Sequence, residues 1–432
     1  MSHQVSSAPS TPPALDVPRF SRQERDRRWA RVRALMERDG LDVIVAPTNT
    51  GGWDSLQANA RYLTSIGGNG APVTAVFPRE GDVTAITGPV PEKAYWLAFQ
   101  DWVQDIRPSF FSLGDALIQR LRELGVEHGR IGLAGLALVP RLADGIIASG
   151  TVEKIRAAFP STEIVNATFL MDEARFVKSE EEIAFLRQAV ALAERAVEVL
   201  KREARPGTPE NVVYARMQAA MVEQGGELPM MLLWSAGNPQ PLSNAFMPTR
   251  RKLAKSDVIA AEIEGRWAGY TGQVTIPAVI GKPSSDYIEM FRLQQKAVQA
   301  AFERMKPGVT IGEVLALSEQ IANGTPYLCR MILHGRGLGA DAPIAIFGSR
   351  DPRVQNWRLE ENSVFVVKPV VMTPQWVEAV AWGQEIIGSA NPADPSGSAA
   401  LGAKTVCWGD SVVVRAHGAE RLGKRPAELL RI

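Results

Sequence analysis

The stretch Val258–Thr275 reads V-I-A-A-E-I-E-G-R-W-A-G-Y-T-G-Q-V-T and predicts the centre of the fold. It begins as an apolar, β-branched run, turns over the five residues Gly265–Gly269, and resumes strand-like alternation at Tyr270. This composition and period predict a β-hairpin. Glu262 and Glu264 share one face of its first strand, because side chains on a strand alternate between two faces.

The two glutamates of this hairpin admit two interpretations. A carboxylate on a buried face requires a partner or a function, which makes Glu262 and Glu264 candidate site residues. Gln273, on the second strand, is predicted to lie opposite Glu262. The alternative is an edge hairpin whose glutamates face solvent.

Length and composition limit the class of protein. A chain of 432 residues predicts two domains. Its 45% hydrophobic and 22% charged residues are typical of a soluble globular protein. A net charge of +1 provides no attraction to nucleic acid or to an anionic membrane. Cys329 and Cys407 have neither metal-ligand nor disulfide spacing, which favours a cytoplasmic protein.

The first half of the chain has the pattern of an α/β domain. Residues 1–17 are rich in Ser, Pro and Ala and predict a disordered tail. Residues 18–174 alternate helical patterns with short apolar runs. Gly67–Gly70 lacks the spacing of a phosphate-binding loop and is predicted to be a plain loop. The predicted elements are helices Ser21–Asp39 and Leu113–Leu124 and strands Asp42–Pro47, Pro72–Phe77, Asp82–Thr87 and Arg130–Gly135.

A second domain, residues 175–432, is predicted to begin near a helix start. Ser179 followed by Glu182 forms a capping box before a long apolar-periodic run. A basic residue followed by Pro-Gly occurs at 205–207 and again at 306–308, each time between two helices. This repeat indicates two related halves with a site between them.

Several motifs together resemble the aminopeptidase P, prolidase and creatinase family over roughly residues 20–425. They are the helix entry Arg175–Ile183, the paired Pro-Gly helix ends, Gly269-Tyr270, His334–Gly339, Val366–Pro369 and, in the N-terminal domain, Asn59–Thr64. The resemblance implies an α/β fold, with a creatinase-like N-terminal domain and a pseudo-twofold, C-terminal "pita-bread" domain. It also implies a homodimer in which the loop after Arg61 contributes to the partner's substrate site.

The metal ligands of the family are mostly replaced in this chain. The resemblance carries two Asp, one His and the first of two Glu onto Glu262, Gln273, His334 and Lys368, in that order, and the last Glu onto a position near Gly409. A further His of the peptidases, near Asn244, is also absent. Divalent ions prefer several anionic oxygens, whereas Gln is neutral and Lys is positive. We therefore predict no dinuclear metal site and no cofactor.

The replaced positions suggest a different site. Lys368 has apolar flanks, and a buried lysine needs a partner, for which Glu262 is the candidate. His334 is the candidate acid or base, paired with Glu264, because histidine changes charge nearest to neutral pH. The alternative for His334 is a structural residue in a glycine-rich turn.

Other side chains are candidates for substrate binding. Arg336 is predicted to orient a substrate carboxylate, with a surface arginine as the alternative. Asp341 is a further carboxylate candidate, and Tyr270 is a candidate for an apolar wall. For Trp234, ordinary core packing is the favoured interpretation.

Three functions remain open from the sequence. The first is a metal-independent hydrolase, or lyase, acting on a C–N or amide bond of a small polar molecule. Creatine itself is not supported, because creatinase's catalytic His is absent near Asn238 and its carboxylate is replaced by Thr275. The second is a metal-dependent Xaa-Pro dipeptidase or aminopeptidase. The third is a non-catalytic pita-bread protein that binds a ligand.

Overall fold

The chain divides between Ala174 and Arg175 into two compact units. The structure, a computed structural model, describes residues 16–54, 57–139, 141–241, 248–339, 341–346, 351–379 and 402–432. Most of the predicted tail, and the region near Asn244, lie outside the described residues. No helix in the described part of the chain is both long and apolar enough to cross a membrane.

The first unit contains a mixed six-stranded sheet in the order β4-β3-β2-β1-β5-β6. Its strands are β1 (Val43–Ala46), β2 (Thr74–Pro78), β3 (Thr84–Thr87), β4 (Asp105–Pro108), β5 (Arg130–Leu133) and β6 (Glu163–Asn166). Its helices are α1 (Arg22–Asp39), α2 (Ala58–Thr64), α3 (Lys93–Phe99), α4 (Leu113–Glu123) and α5 (Ser149–Ala158), with α6 (Thr168–Phe176) at the boundary.

The sequence predictions for this unit are confirmed with small shifts at the ends of elements. Ser21 caps α1 by accepting the Glu24 N–H at 3.0 Å. The glycine-rich segment leads into strand β2 rather than into a helix. A plain loop is therefore its correct description, because a phosphate loop requires a helix N-terminus after it.

The second unit is built on a ten-stranded sheet, counted over the described residues. Its strands are β7 (Leu232–Gly237), β8 (Val258–Trp267), β9 (Tyr270–Val279), β10 (Leu328–Gly335), β11 (Ile344–Ala345), β12 (Val364–Met372), β13 (Thr405–Cys407), β14 (Gly409–Arg415), β15 (Gly418–Arg421) and β16 (Leu430–Arg431). Its helices are α7 (Glu180–Glu203), α8 (Glu210–Glu223), α9 (Ser285–Arg304), α10 (Ile311–Ala322), α11 (Pro352–Gln355) and α12 (Pro374–Ala379).

This second sheet is strongly curled. Its main strand order is β11-β10-β12-β14-β9-β8-β7, so that four strand spacings separate β10 from β8. In a flat sheet that separation would be about 19 Å. Arg336, directly after β10, nevertheless hydrogen-bonds Glu264 of β8. The face that carries both side chains is therefore concave.

The two halves of this unit repeat the same backbone arrangement. Gly207 and Gly308 both have left-handed φ values, 90° and 87°. The Gly207 N–H donates to Leu253 at 2.7 Å, and the Gly308 N–H donates to Leu359 at 2.8 Å. Each glycine lies between two helices, α7 and α8 in one half and α9 and α10 in the other. The sequence repeat is thus a structural pseudo-repeat, as predicted.

The predicted hairpin exists, but its turn is shorter than expected. Strand β8 continues to Trp267, so the turn is Ala268-Gly269, with φ values of 46° and 84°. This turn places Thr275 opposite Glu262 and Gln273 opposite Glu264. The prediction that Gln273 lies opposite Glu262 is therefore wrong, because Gln273 lies opposite the next residue on the same face of β8.

Gly265, expected in the turn, instead has a packing role. It pairs with Gly272 on the face that helix α7 covers. A Cβ atom at Gly265 would lie 2.0 Å from the Ala189 carbonyl oxygen, and one at Gly272 would lie 2.4 Å from the Val190 nitrogen. Only glycine permits this close approach of helix and hairpin.

Asp341, a predicted substrate-binding residue, lies in a buried ion cluster. Its carboxylate is 2.9 Å from Lys178 Nζ and 3.3 Å from Arg175 Nη1. All three side chains are buried. The cluster ties the start of the second unit to the loop after β10, which gives Asp341 a structural role in place of the predicted one.

The turn predicts a stabilising substitution. Type I′ turns favour Asn-Gly, because both central residues have positive φ and alanine at that conformation is strained. Ala268→Asn should raise the free energy of unfolding by about 1 kcal/mol. Gly269→Ala should lower it by a similar amount, and chemical denaturation measures both. An Ala268→Asn variant less stable than the parent would contradict the observed turn.

The ion cluster predicts both a stability loss and a pH dependence. Burial raises the pKa of Asp341, but the charges of Arg175 and Lys178 outweigh it and hold the pKa below 3.8. Because the folded pKa is the lower one, this stabilisation is complete above pH 3.8 and is lost as the pH falls through the folded pKa. Asp341→Asn should cost about 3–5 kcal/mol at pH 7, because two buried cations lose their partner.

Denaturant unfolding at pH 7 and at pH 3 measures this difference between parent and variant. The difference should shrink at the lower pH. Asp286→Asn is the matched control, since it removes the same charge from an exposed ion pair with Lys404 and should cost about 1 kcal/mol or less. Equal losses in the two variants would contradict the structural role of Asp341.

Candidate functional site

The concave face of the curled sheet collects the replaced metal-ligand positions. On one side of the face, Ile332 is paired with Lys368, which places His334 on that face two residues further along β10. On the other side, Thr275 is paired with both Glu262 and Gly409, and Gln273 lies two residues from it. The register of the sheet thus brings five positions from five strands to a single surface.

Five side chains on this face form a continuous hydrogen-bonded chain. Lys368 Nζ and Gln273 Nε2 both donate to Glu262 Oε2, each at 2.8 Å. Arg336 Nη2 donates to Gln273 Oε1 and to Glu264 Oε1. We call this series, Lys368–Glu262–Gln273–Arg336–Glu264, the charge chain. It contains two cations and two carboxylates joined by one amide.

The charge chain opens to solvent at one residue. Side-chain exposure is 4% for Lys368 and at most 1% for Arg336 and Glu264, but it is 14% for Glu262. Gln273 is fully buried. A molecule that enters the concave face therefore meets Glu262 before the other members of the charge chain.

Arg336 retains unused donors inside the site. Its Nη2 is occupied by Glu264 and Gln273, whereas Nε and Nη1 have no hydrogen-bond partner among the described residues. The side chain is 1% exposed, so these N–H groups are not in bulk water. Burying an arginine with open donors is costly, which makes them the natural place for an anionic or carbonyl oxygen of a ligand.

The predicted contact between Lys368 and Glu262 is present, and Gln273 contacts Glu262 as its diagonal neighbour. The surface alternative for Arg336 and the edge-hairpin alternative are both wrong, because Glu264 and Arg336 are buried. His334 is fully buried on the concave face, with Nδ1 3.4 Å from the Gly335 carbonyl oxygen. Its role as acid or base stays a prediction.

Two aromatic residues lie on the opposite face of the sheet. The prediction of Tyr270 as a wall of the site is corrected, because its hydroxyl donates to Glu182 of α7 at 2.6 Å. Trp234 is likewise 1% exposed and donates to Glu210 at 3.0 Å, consistent with core packing. Arg61 lies in α2 of the first unit and is 5% exposed. Its role in substrate binding stays a prediction.

Two residues that sequence reasoning missed also lie on this face. Ser411 Oγ donates to the Gln273 carbonyl at 3.0 Å and accepts its N–H at 2.9 Å, which fixes the strand carrying Gln273. Cys407 is paired with Val370, two residues from Lys368. Burial, and then the charge of Glu262, raises the pKa of Cys407 to about 12, so it is a neutral thiol and a poor nucleophile. Side chains alternate between the faces of a strand, so counting two residues in each direction from Gly409 could have predicted that both Ser411 and Cys407 lie on this face.

An apolar cluster borders the charge chain at Lys368. Val370 and Met372 continue along β12 on the same face, and Trp376 and Val377 of α12 pack over them. Ile332, which pairs with Lys368, is only partly buried at the edge of this cluster. The site therefore places an apolar wall beside a charged one.

The donor set does not fit two divalent ions. The Lys368 ammonium stands at one predicted ligand position and binds Glu262, and the Arg336 guanidinium lies between Gln273 and Glu264, so both carboxylates already bind cations of the chain itself. Among the described residues, no group of three His, Cys, Asp or Glu side chains is placed to hold a metal. Divalent ions need several anionic oxygens directed at one point, and here one oxygen of each carboxylate is already bound to a cation of the chain.

Proteins of similar sequence and fold include Xaa-Pro dipeptidases and a creatinase. The Xaa-Pro dipeptidase of Pyrococcus furiosus is 22% identical over 291 residues, which cover 66% of this chain and 74% of that protein. A creatinase of a Bacillus species is 21% identical over 374 residues, covering 83% and 86%. The solved Xaa-Pro dipeptidase of Bacillus anthracis has the same fold, with a TM-score of 0.70, 18% identity, and coverage of 94% of this chain and all of that one.

The family itself is shown by a match over the second unit. The sequence description of the metallopeptidase family M24 matches residues 184–416, which is more than half of the chain and includes the charge chain. This chain therefore belongs to the metallopeptidase family M24 and has its pita-bread fold.

Proposed function

We propose that this chain is a hydrolase that cleaves the amide or other C–N bond of a small polar molecule. The observation that carries the proposal is the charge chain on the concave face, in which Arg336 has buried donors without a hydrogen-bond partner among the described residues and Glu262 is the most exposed member. The relatives support hydrolysis of a C–N bond, and the names of the dipeptidases favour a dipeptide-sized substrate.

Each residue of the site has a proposed role. Arg336 binds a carboxylate or carbonyl oxygen of the substrate through Nε and Nη1. Glu262, held by Lys368 and Gln273, orients the polar end of the substrate or the attacking water. His334 takes a proton from that water as it adds to the carbonyl carbon, and returns a proton to the leaving nitrogen as the C–N bond breaks. Glu264 positions Arg336.

The metal-dependent Xaa-Pro dipeptidase is the second candidate, and the relatives support it more directly than the first. The family is one of metallopeptidases, and two of the relatives reported above are Xaa-Pro dipeptidases. The chemistry of the donor set in this chain favours the metal-independent alternative. A homodimer and a cytoplasmic location remain predictions of the resemblance and the composition.

Turnover with and without metal separates these candidates. The full chain, dialysed against a chelator, is assayed on Xaa-Pro dipeptides and on small amides, ureas and guanidines, and the assay is repeated with Mn²⁺. The proposal expects turnover that Mn²⁺ does not change. Dipeptide hydrolysis that appears only with Mn²⁺ would establish the second candidate. Specific binding of a panel compound without any turnover would favour the non-catalytic alternative.

Substitutions in the charge chain test the site itself. Lys368→Met leaves the carboxylate of Glu262 without its cation. The substitution should lower either the folding equilibrium constant or kcat/KM by at least tenfold. Lys306→Met is the matched control, since Lys306 is exposed and its loss should leave both unchanged. A stable, fully active Lys368→Met enzyme would remove Lys368 from the site.

Glu262→Gln is the complementary substitution, because it keeps the shape of the side chain and removes its charge. The variant should fold and lose most of its kcat/KM, as measured on the best substrate of the panel. Unchanged kinetics in a folded Glu262→Gln enzyme would exclude Glu262 as the substrate-facing carboxylate.

A further inference from the structure

We infer that Lys368 is a built-in cation that takes the place of a divalent metal ion, and that Gly409 is the position that makes room for it. The inference concerns the same site as the proposed function, but it holds independently of which substrate is turned over. It explains why the ligands expected at positions 273, 368 and 409 are replaced together: each replacement depends on the other two.

The first argument is steric. Lys368 and Gly409 lie side by side on the concave face, on the neighbouring strands β12 and β14. A Cβ atom at position 409 would lie 2.3 Å from Cγ of Lys368 and 2.9 Å from the carbonyl oxygen of Val367. The aliphatic part of Lys368 therefore fills the space that a side chain at 409 would use. A lysine here and a carboxylate at 409 exclude each other in this conformation.

The second argument is electrostatic. The Lys368 ammonium is 2.8 Å from Glu262 Oε2, and its side chain is only 4% exposed. A charge so buried requires an opposite charge in contact, and Glu262 supplies it. The ammonium thus neutralises a carboxylate at one of the positions that correspond to metal ligands.

The third argument comes from the direction of the amide of Gln273. Its Nε2 donates to Glu262 and its oxygen accepts from Arg336, so that it joins the two ion pairs. An aspartate at position 273 could not donate to Glu262 and would place two carboxylates in contact. The neutral amide is therefore required once Lys368 and Arg336 supply the positive charge. The four charges balance without any bound ion.

Metal titration of the full chain tests the inference, with no substrate involved. The parent protein, Lys368→Glu and Lys368→Met are stripped with a chelator and titrated with Mn²⁺ by calorimetry and thermal unfolding. Lys368→Glu restores a carboxylate at the position of the cation, and Mn²⁺ should raise its Tm by several degrees. The parent and Lys368→Met should shift by less than about 1 °C.

Either of two outcomes overturns the built-in cation. One is saturable Mn²⁺ binding by the parent chain at one or two equivalents. The other is a Lys368→Glu variant that responds to Mn²⁺ no more than Lys368→Met does. Because these readouts require no turnover, their failure is distinguishable from a failure of the proposed hydrolysis.

A double-mutant cycle tests the role of Gly409 separately, and remains informative if Lys368→Glu does not fold. Gly409→Ala should lower the Tm of the parent, because the new methyl group meets the Lys368 stem. In a Lys368→Ala background the same substitution should lower the Tm by a smaller amount, since only the contact with Val367 and the Cβ atom remains. Equal shifts in the two backgrounds would show that the residues are not coupled.

Discussion

The ion pair between Lys368 and Glu262 connects the two halves of the pita-bread unit across the concave face of its sheet. The residues belong to strands that two others separate, so they meet only because the sheet is curled. Helix α7 packs closely against the opposite face, where Gly265 and Gly272 admit the helix backbone. A larger side chain at either glycine would clash with the backbone of α7.

Ion pairs as buried as these contribute little net stability, because desolvation of each charge offsets most of the attraction. Their contribution is geometric. Glu262 Oε2 accepts from two donors, and Arg336 Nη2 donates to two acceptors, so the five side chains of the charge chain hold one another in place. A second buried cluster, in which Lys178 and Arg175 enclose Asp341, fixes the loop that carries Arg336. Charge balance within the protein thus sets the positions of the side chains on the concave face.

A metallopeptidase site positions its substrate and its water with ions, and carboxylates hold those ions. In this chain the carboxylates of Glu262 and Glu264 bind an ammonium and a guanidinium of the chain itself. The consequence for chemistry is a difference in kind: a fixed cation orients and neutralises, whereas a metal ion also acidifies bound water. In the proposed metal-independent hydrolysis, proton transfer comes from a side chain, and His334 lies on the same face. The apolar wall at Ile332 and Trp376 adds a surface that an ammonium alone would not provide.

The sequence by itself determined the two-domain α/β organisation, the hairpin, the capping box at Ser179 and the pairing of Lys368 with Glu262. The first three follow from local periodicity and capping chemistry. The pair of Lys368 and Glu262 follows from the family resemblance, which carries both residues onto ligand positions, together with the need of a buried lysine for a carboxylate. The tertiary structure decided which face each residue occupies. A turn of two residues in place of five moved Gln273 opposite Glu264, and Tyr270 bonds to a helix behind the sheet. The contacts of Arg336, Asp341 and Gly409 also needed the fold, because residues from distant segments meet only through the curl of the sheet, which no local pattern encodes.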